Sequence, residues 1–328
     1  MDGDVYLTGS HHPLSKMAPM SDPSWSIQLQ SNRRNLNNSD INIGWYWVRP
    51  TEAAHELFSR SYAMWNRTGK WDQGIVDTIR SEMVSEGKLA FPASIVLSLS
   101  DYINSGCYPE WFKIYPNVTL IDEMLSEAVL IHFAGTRGKT KHFMAKHLGL
   151  WGDLDGYYTG EIPLLQPVNL SGTRDQLLWQ LDLAVYLAKS SGRTFVFPMT
   201  VNLTEGPTPP LDGSRPAVAL VDVDRFDALV PWVEGTYLHN RARYTHAKPR
   251  ERTISVDTTD PPGNWTDELV RRCRSPADDM VKIDFGKVDG SKLIKLGGVE
   301  KIIREMNLRP CGESRHCWWG EKGPRLGC

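Results

Sequence analysis

Asn42-Ile43-Gly44-Trp45-Tyr46-Trp47-Val48-Arg49 decides the fold class, because Ile41 to Val48 reads as one strand. Apolar and aromatic side chains fall on both of its faces, the pattern of a central strand covered on two sides. Pro50 ends it. From Thr51 the period changes. Ala54, Leu57, Phe58, Ser61, Tyr62 and Trp65 recur at i, i+3, i+4 and i+7, which predicts a helix with these residues on its inward face. Thr68-Gly69-Lys70 breaks that helix, and Trp71 to Ile79 begins another. Strand followed by helices predicts an α/β protein.

Working outward, residues 4–7 and 25–30 read as short strands, the second alternating Trp25, Ile27, Leu29 against Ser26, Gln28, Gln30. Ser31 to Asp40 is polar and Asn-rich, hence a loop. Ala128 to Phe133 is an apolar strand that delivers His132 to its C-terminal end. The character changes after Trp151. Gly156 to Gly172 is rich in turns. Thr173-Arg174-Asp175-Gln176 is a capping box opening a helix with Leu177, Leu181, Ala184 and Ala188 on one stripe, stopped at Gly192. Thr194 to Phe197 and Ala217 to Val223 read as strands, and Thr245 to Gly263, charged and Pro-rich, as a long surface loop. The expected organisation is therefore a first region over residues 1–151 and a second α/β region over 152–328 that ends in a Cys-containing tail.

The bulk numbers narrow the function. A chain of 328 residues, 41% hydrophobic, can bury a sizeable core. A net charge of -2 argues against a nucleic-acid binder, which needs clustered Lys and Arg. Twelve Trp stand out, since their flat faces suit carbohydrate as well as core packing. No apolar run approaches the ~20 residues of a membrane span; Ala90 to Leu99 comes nearest and Pro92 interrupts it. No signal peptide opens the chain. The five Cys contain no C-x-x-C, which disfavours a zinc site, and Cys311, Cys317 and Cys328 crowd the last 18 residues, where disulfides would suit an oxidising compartment. Asn-X-Ser/Thr occurs at Asn37, Asn66, Asn117, Asn169, Asn202 and Asn264. Chance would give about two such acceptors, so the count points to a lumenal or secreted protein.

Some of these residues suit one chemistry in particular. Moving a sugar off a nucleotide diphosphate leaves a pyrophosphate whose growing charge must be neutralised, commonly by a divalent metal. Such an ion wants carboxylates, and manganese also accepts imidazole. In Asp2-Gly3-Asp4-Val5-Tyr6-Leu7 both carboxylates would face one ion if the segment is extended. D-x-D is common by chance, and Asp222-Val223-Asp224 is a second instance that reads more simply as a strand running into a turn. His132-Phe133-Ala134-Gly135-Thr136-Arg137-Gly138-Lys139 places a His at a strand end ahead of a glycine turn and two cations, an arrangement open to phosphate. A core His before a basic helix start would look the same.

Taken in order, these motifs resemble the nucleotide-diphospho-sugar transferases of the D-x-D type, with the GT-A fold, including the plant and fungal family 77-like enzymes. The matching segments are Asp2 to Leu7, Ser26-Ile27-Gln28-Leu29-Gln30-Ser31, Asn42 to Arg49, Asp72-Gln73, His132 to Gly135 with Lys139, and Gly149-Leu150-Trp151. The resemblance implies a partial GT-A fold, a Rossmann-like mixed sheet flanked by helices, over residues 1–151. It implies that Asp2 and Asp4 hold a metal, Mn2+ or another divalent ion, together with the donor, and that His132 completes the metal shell. Lys139, with Arg137 and Gly135, would meet the diphosphate. Asn42 and Gly44 would line the donor-sugar pocket, and Asp72 and Gln73 would contact the transferred sugar or the acceptor hydroxyl. Asp72 also has the chemistry of a helix N-cap.

The implied activity is metal-dependent transfer, with retention, from a nucleotide-sugar donor to a glycan or glycoprotein acceptor in the Golgi lumen. The departure from the family is at the front. The family carries a nucleotide-binding βαβ half before its D-x-D, and a lumenal anchor would lie there too; here Asp2 follows Met1. That leads to an expectation of weak or no transfer by this chain, and of membrane attachment only through the absent segment. Two other readings stand beside it: a non-catalytic glycan-binding or interaction protein of glycosyltransferase descent, and an unrelated secreted α/β protein with accidental motifs.

Overall fold

The computed structural model describes residues 5–12, 16, 25–31, 41–70, 72–89, 94–96, 101–104, 114–133, 140–204, 214–217, 220–221, 226–259, 264–308, 319–320 and 323–324. The chain forms two compact units, one of Met1–Trp111, Thr119–Thr136 and Leu326–Cys328, the other of Phe112–Val118 and Arg137–Arg325. Both are α/β. Residues 137–151, grouped above with the first region, pack within the second unit.

In the first unit, β1 (Val5–Leu7), β2 (Ile27–Ser31), β3 (Ile41–Val48), β4 (Ser94–Val96), β5 (Tyr102–Asn104) and β6 (Leu130–His132) form two mixed three-stranded sheets. One has the order β3-β2-β4, with β3 antiparallel and β4 parallel to β2. The other has the order β1-β6-β5, with β1 antiparallel and β5 parallel to β6. Helices α1 (Glu52–Thr68) and α2 (Asp72–Ser85) cover one face of β2 and β3. Helix α3 (Val118–Glu127) leads into β6.

The expected alternation of β2 is present. Ile27 and Leu29 pack with Ile41, Leu57, Ile75, Val76, Ile79, Met83 and Leu89. Gln28 and Gln30 point the other way, and they too are fully buried. The expectation of a central β3 is corrected: among the described strands β3 lies at the edge of its sheet and β2 is central. Its aromatics on two faces have separate reasons. Tyr46 meets Phe58 of α1, and Trp45 and Trp47 meet the β1–β6 side.

Helix α1 begins where the sequence places it. Thr51 caps it by accepting from the Ala54 N–H at 3.2 Å, and Gly69, at φ 58°, closes it with its N–H on the Trp65 carbonyl. Its inward face is narrower than predicted. Ala54, Leu57 and Ser61 are buried, whereas Tyr62 and Trp65 are 64% and 49% exposed and stack on each other at 6.1 Å. A sheet face and one neighbouring helix cover roughly 100° of a helix, and the apolar stripe of α1 is wider than that.

The second unit is built on a five-stranded, wholly parallel sheet. Its strands are β7 (Leu164–Val168), β9 (Thr194–Val196), β12 (Trp232–Val233), β13 (Glu251–Ser255) and β14 (Met280–Asp284), in the order β12-β9-β7-β14-β13. Three smaller strands, β8 (Ser171–Gly172), β10 (Thr200–Leu203) and β11 (Ser214–Pro216), form a side sheet, and β15 (Trp319–Gly320) pairs with β16 (Gly323–Pro324). Two expectations are corrected. The stretch read as a long loop from Thr245 contains β13, an edge strand whose charged residues suit its exposure. The strand read over Ala217–Val223 is instead β11, three residues earlier; residues 218–219 and 222–223 of that stretch lie outside the described set.

Helices α4 (Thr140–His147), α5 (Arg174–Ser191), α6 (Tyr237–Arg241), α7 (Trp265–Cys273), α8 (Gly290–Leu293) and α9 (Val299–Met306) complete this unit. The capping box of α5 is formed in full: Thr173 Oγ1 accepts from the Gln176 N–H and Gln176 Oε1 accepts from the Thr173 N–H. Gly172, at φ 144°, makes the turn into it, and a Cβ there would lie 2.6 Å from Gln176 Oε1. Replacing Thr173 with Ala is expected to lower stability by about 1 kcal/mol, read from the urea midpoint, while Thr173→Ser should leave it near wild type. Arg193 is buried and donates to the carbonyls of Cys273, Leu164, Ser275 and Asp278, tying β7 and α7 together. Cys273 is a free thiol whose pKa burial pushes up to about 11, so it acts as a packing group. Cys107, Cys311, Cys317 and Cys328 lie outside the described residues. Among the described residues no helix is long and apolar enough to cross a membrane.

Candidate functional site

The site is built on an irregularity in β3. Leu29 pairs with Tyr46, yet the next residue of β2, Gln30, pairs with Asn42. Ile43, Gly44 and Trp45 are therefore extra, a wide bulge in the edge strand. Because a strand alternates faces, an odd number of extra residues reverses the parity of everything beyond it. Residues directly opposite in an antiparallel pair share a face. Asn42 thus lies on the face of Gln30, and Trp47 on the face of Gln28, while Tyr46 and Val48 turn to the helix-covered face with Leu29 and Ile27.

Two side chains hold the bulge, and a third supports one of them. Asn42, 3% exposed, accepts the Gly44 N–H on Oδ1 at 2.7 Å. Gln73, also buried, directs Oε1 at the Ile43 N–H, 3.5 Å away. Asp72 opens α2, is exposed, and accepts the Gln73 N–H on Oδ1 at 2.7 Å. The residues read from sequence as donor-pocket and sugar-contact groups are thus one hydrogen-bonded cluster, in which Asp72 fulfils its helix-start role.

His132 reaches Gln30, the residue opposite Asn42, from the other sheet. It is 3% exposed, and its Nδ1 lies 2.8 Å from Gln30 Oε1. Gln30 Nε2 donates to the Tyr102 carbonyl at 3.0 Å. That bond fixes the amide orientation and makes Oε1 an acceptor, so His132 Nδ1 carries the hydrogen; in a neutral ring the lone pair is then on Nε2. A metal-binding imidazole is commonly held in this way, with its second nitrogen donating to an oxygen behind it. Val5, the residue after Asp4, lies directly opposite His132.

Gln30 is the residue that sequence reading passed over. It stood in a quoted motif without a role. The available signal was a polar residue repeated at Gln28 and Gln30 on a strand with an apolar opposite face. Asp2, Asp4, Gly135, Arg137 and Lys139 lie outside the described residues, as do Asp222 and Asp224. Among the described residues there is no group of three or more His, Cys, Asp or Glu that could hold a metal ion.

Comparison with known proteins agrees with the motifs. Residues 1–140 match the family described as nucleotide-diphospho-sugar transferase, so the resemblance read from the sequence is shown over that stretch. Among solved structures, the chain is similar to a glycosyltransferase involved in the glycosylation of the major capsid of PBCV-1, at 19% identity and a TM-score of 0.28. The alignment covers 45% of this chain and spans 63% of the length of that one. No curated protein matches the chain.

Proposed function

We propose that the first unit is the donor-handling part of a glycosyltransferase, which moves a sugar from a nucleotide-diphosphate donor to a glycan or glycoprotein acceptor with retention. The observation that carries this reading is that Asn42, Gly44 and Gln73 meet in one hydrogen-bonded bulge, while His132 is held by Gln30, the residue opposite Asn42. The family match over residues 1–140 gives the class of reaction.

The imidazole is suited to a divalent ion, since its lone pair is on Nε2 and its Nδ1–H is held by Gln30. His132, with Asp2 and Asp4, would hold manganese, which neutralises charge on a departing diphosphate. Asn42 shapes the backbone at Gly44 by accepting its N–H. A lumenal Golgi setting is supported by the sequons: Asn66, Asn117, Asn169, Asn202 and Asn264, the five described acceptors, are all exposed.

Calorimetric titration of UDP- and GDP-sugars into the full chain, with and without manganese, tests the reading. Binding of one donor that depends on the metal is the expected result. Binding of free oligosaccharide with no response to any nucleotide sugar would instead favour a glycan-binding protein of glycosyltransferase descent.

A further inference from the structure

The second unit carries a cavity of its own, with a volume of about 550 Å³. It lies at the amino edge of the parallel sheet, where four neighbouring strands begin. Residues 161–163 lead into β7, Ser191 and Arg193 into β9, 247–250 into β13 and 274–279 into β14. Backbone hydrogen bonds stitch these entries together. Thr194 N–H donates to the Pro163 carbonyl at 2.8 Å, Leu164 N–H to the Asp279 carbonyl at 2.8 Å, and Asp279 N–H to the Arg250 carbonyl at 3.0 Å. The walls therefore stand on rigid elements. Ligands of open parallel sheets ordinarily sit at the carboxyl edge, so this cavity is separate from that crevice.

Charge distinguishes it. Five cations line it, Arg193, Arg241, Lys248, Arg250 and Arg274, against three carboxylates, Glu161, Asp278 and Asp279. The whole chain carries a net charge of -2, so the excess is local. Arg250 is engaged with Asp279 at 3.0 Å. Asp278 leans toward Arg252 at 3.7 Å, a residue that does not line the cavity. Arg193, which is 4% exposed, and Arg274 are held by backbone carbonyls, which orient a guanidinium and leave its charge uncancelled. Among the described residues no carboxylate comes within ion-pair distance of Arg193, Arg241, Lys248 or Arg274. A cation taken out of water without a counter-charge is costly, and an oxyanion supplies what this lining lacks.

We propose that the cavity binds a phosphate ester of a small polyhydroxylated molecule, with Arg241 and Lys248 on the phosphate oxygens. A guanidinium fork and an ammonium together suit a phosphate dianion. The volume argues for an ester over a bare ion, because cavities of roughly 300–1,000 Å³ hold whole small molecules. The rest of the lining is polar enough to meet hydroxyls: Ser191 and Ser275 donate or accept, and Glu161 and Asp278 accept. No metal enters the argument, and the site lies in the unit that does not carry His132.

Calorimetric titration of the full chain without manganese tests this, with glucose 1-phosphate, glucose 6-phosphate, inorganic phosphate and glucose as probes. A sugar phosphate is expected to bind more tightly than inorganic phosphate, and glucose not to bind. Lys248→Gln and Arg241→Gln should each weaken the sugar phosphate about 5- to 20-fold, and Arg241→Lys should lose less. Arg271→Gln, which removes an exposed cation outside the cavity, should bind as wild type. Melting of the unliganded variants is expected at or near the wild-type temperature, because the charges removed have no carboxylate partner. Should Arg241→Gln fold poorly, Lys248→Gln, at an exposed position, carries the test alone. No binding of either sugar phosphate at about 10 mM, ten times a millimolar Kd, overturns the proposal. So does binding no tighter than that of inorganic phosphate, or binding that Lys248→Gln weakens no more than Arg271→Gln. Manganese-dependent binding of nucleotide sugars is read separately, so either result leaves the reading of the first unit standing.

Discussion

Gln30→Leu is expected to weaken manganese-dependent donor binding by about 10- to 100-fold and to destabilise the first unit by roughly 2–4 kcal/mol. Two hydrogen bonds are lost at once. The Tyr102 carbonyl loses the Gln30 Nε2–H, and the His132 Nδ1–H loses Oε1. Gln30 and Tyr102 are fully buried and His132 nearly so, leaving little access for water to replace either bond. The imidazole is then free to rotate or to change tautomer, and either change misdirects the nitrogen that carries the lone pair.

Gln30→Glu separates the two effects. Its carboxylate still accepts from His132 but cannot donate to Tyr102, so stability should fall while the metal dependence of binding persists. Titration calorimetry and thermal melting on the same samples read the two quantities. If Gln30→Leu loses stability but binds the donor with unchanged metal dependence, the His132–Gln30 pair is only a structural tie between the sheets. His132→Ala should abolish the metal response whatever the state of Gln30.

How much of this could be read beforehand differs from one element to the next. Helices α1 and α5 were legible because local chemistry sets their ends: Thr51 and Gly69 for one, the Thr173–Gln176 box and Gly192 for the other. The strand carrying His132 was legible from its unbroken apolar run. The order of strands was not, because pairing is a long-range property. β3 looks central by composition, and its place at the edge of the sheet is settled only by the pairing. Gln30 was hidden for the same reason. A polar residue on one face of a strand ordinarily faces water, and here that face is covered by the second sheet of the unit. Strands β13 and β14 pair in parallel across a long connection, and nothing local in a charged, Pro-rich stretch announces that partner. Asn42 and Gly44 were identified through their motif, whereas the mechanical link between them, a side-chain oxygen holding the backbone of the bulge, required coordinates.

A large pH effect on stability is expected at Asp182. This residue of α5 is 2% exposed, and burial pushes its carboxyl up to about 7, although its Oδ1 accepts the Leu308 N–H at 3.0 Å, which acts the other way. In the unfolded chain an Asp titrates near 3.9. The folded state therefore holds the proton more tightly, and the stability this confers is fully present below about pH 4. It is lost as pH rises through the folded value near 7. The shift of about three units corresponds to roughly 4 kcal/mol as an upper limit, before any relaxation of the site. Asp182→Asn keeps a carbonyl oxygen for Leu308 and has no proton to lose. The variant should match wild type below about pH 4 and exceed it by about 2–4 kcal/mol at pH 8, with the gap opening between about pH 4 and 7. Urea unfolding across that range decides the matter. A difference that stays constant with pH would mean that the wild-type carboxyl does not change its protonation there. A variant that is less stable throughout would mean that the ionised carboxylate, hydrogen-bonded to the chain just after α9, outweighs its cost of burial.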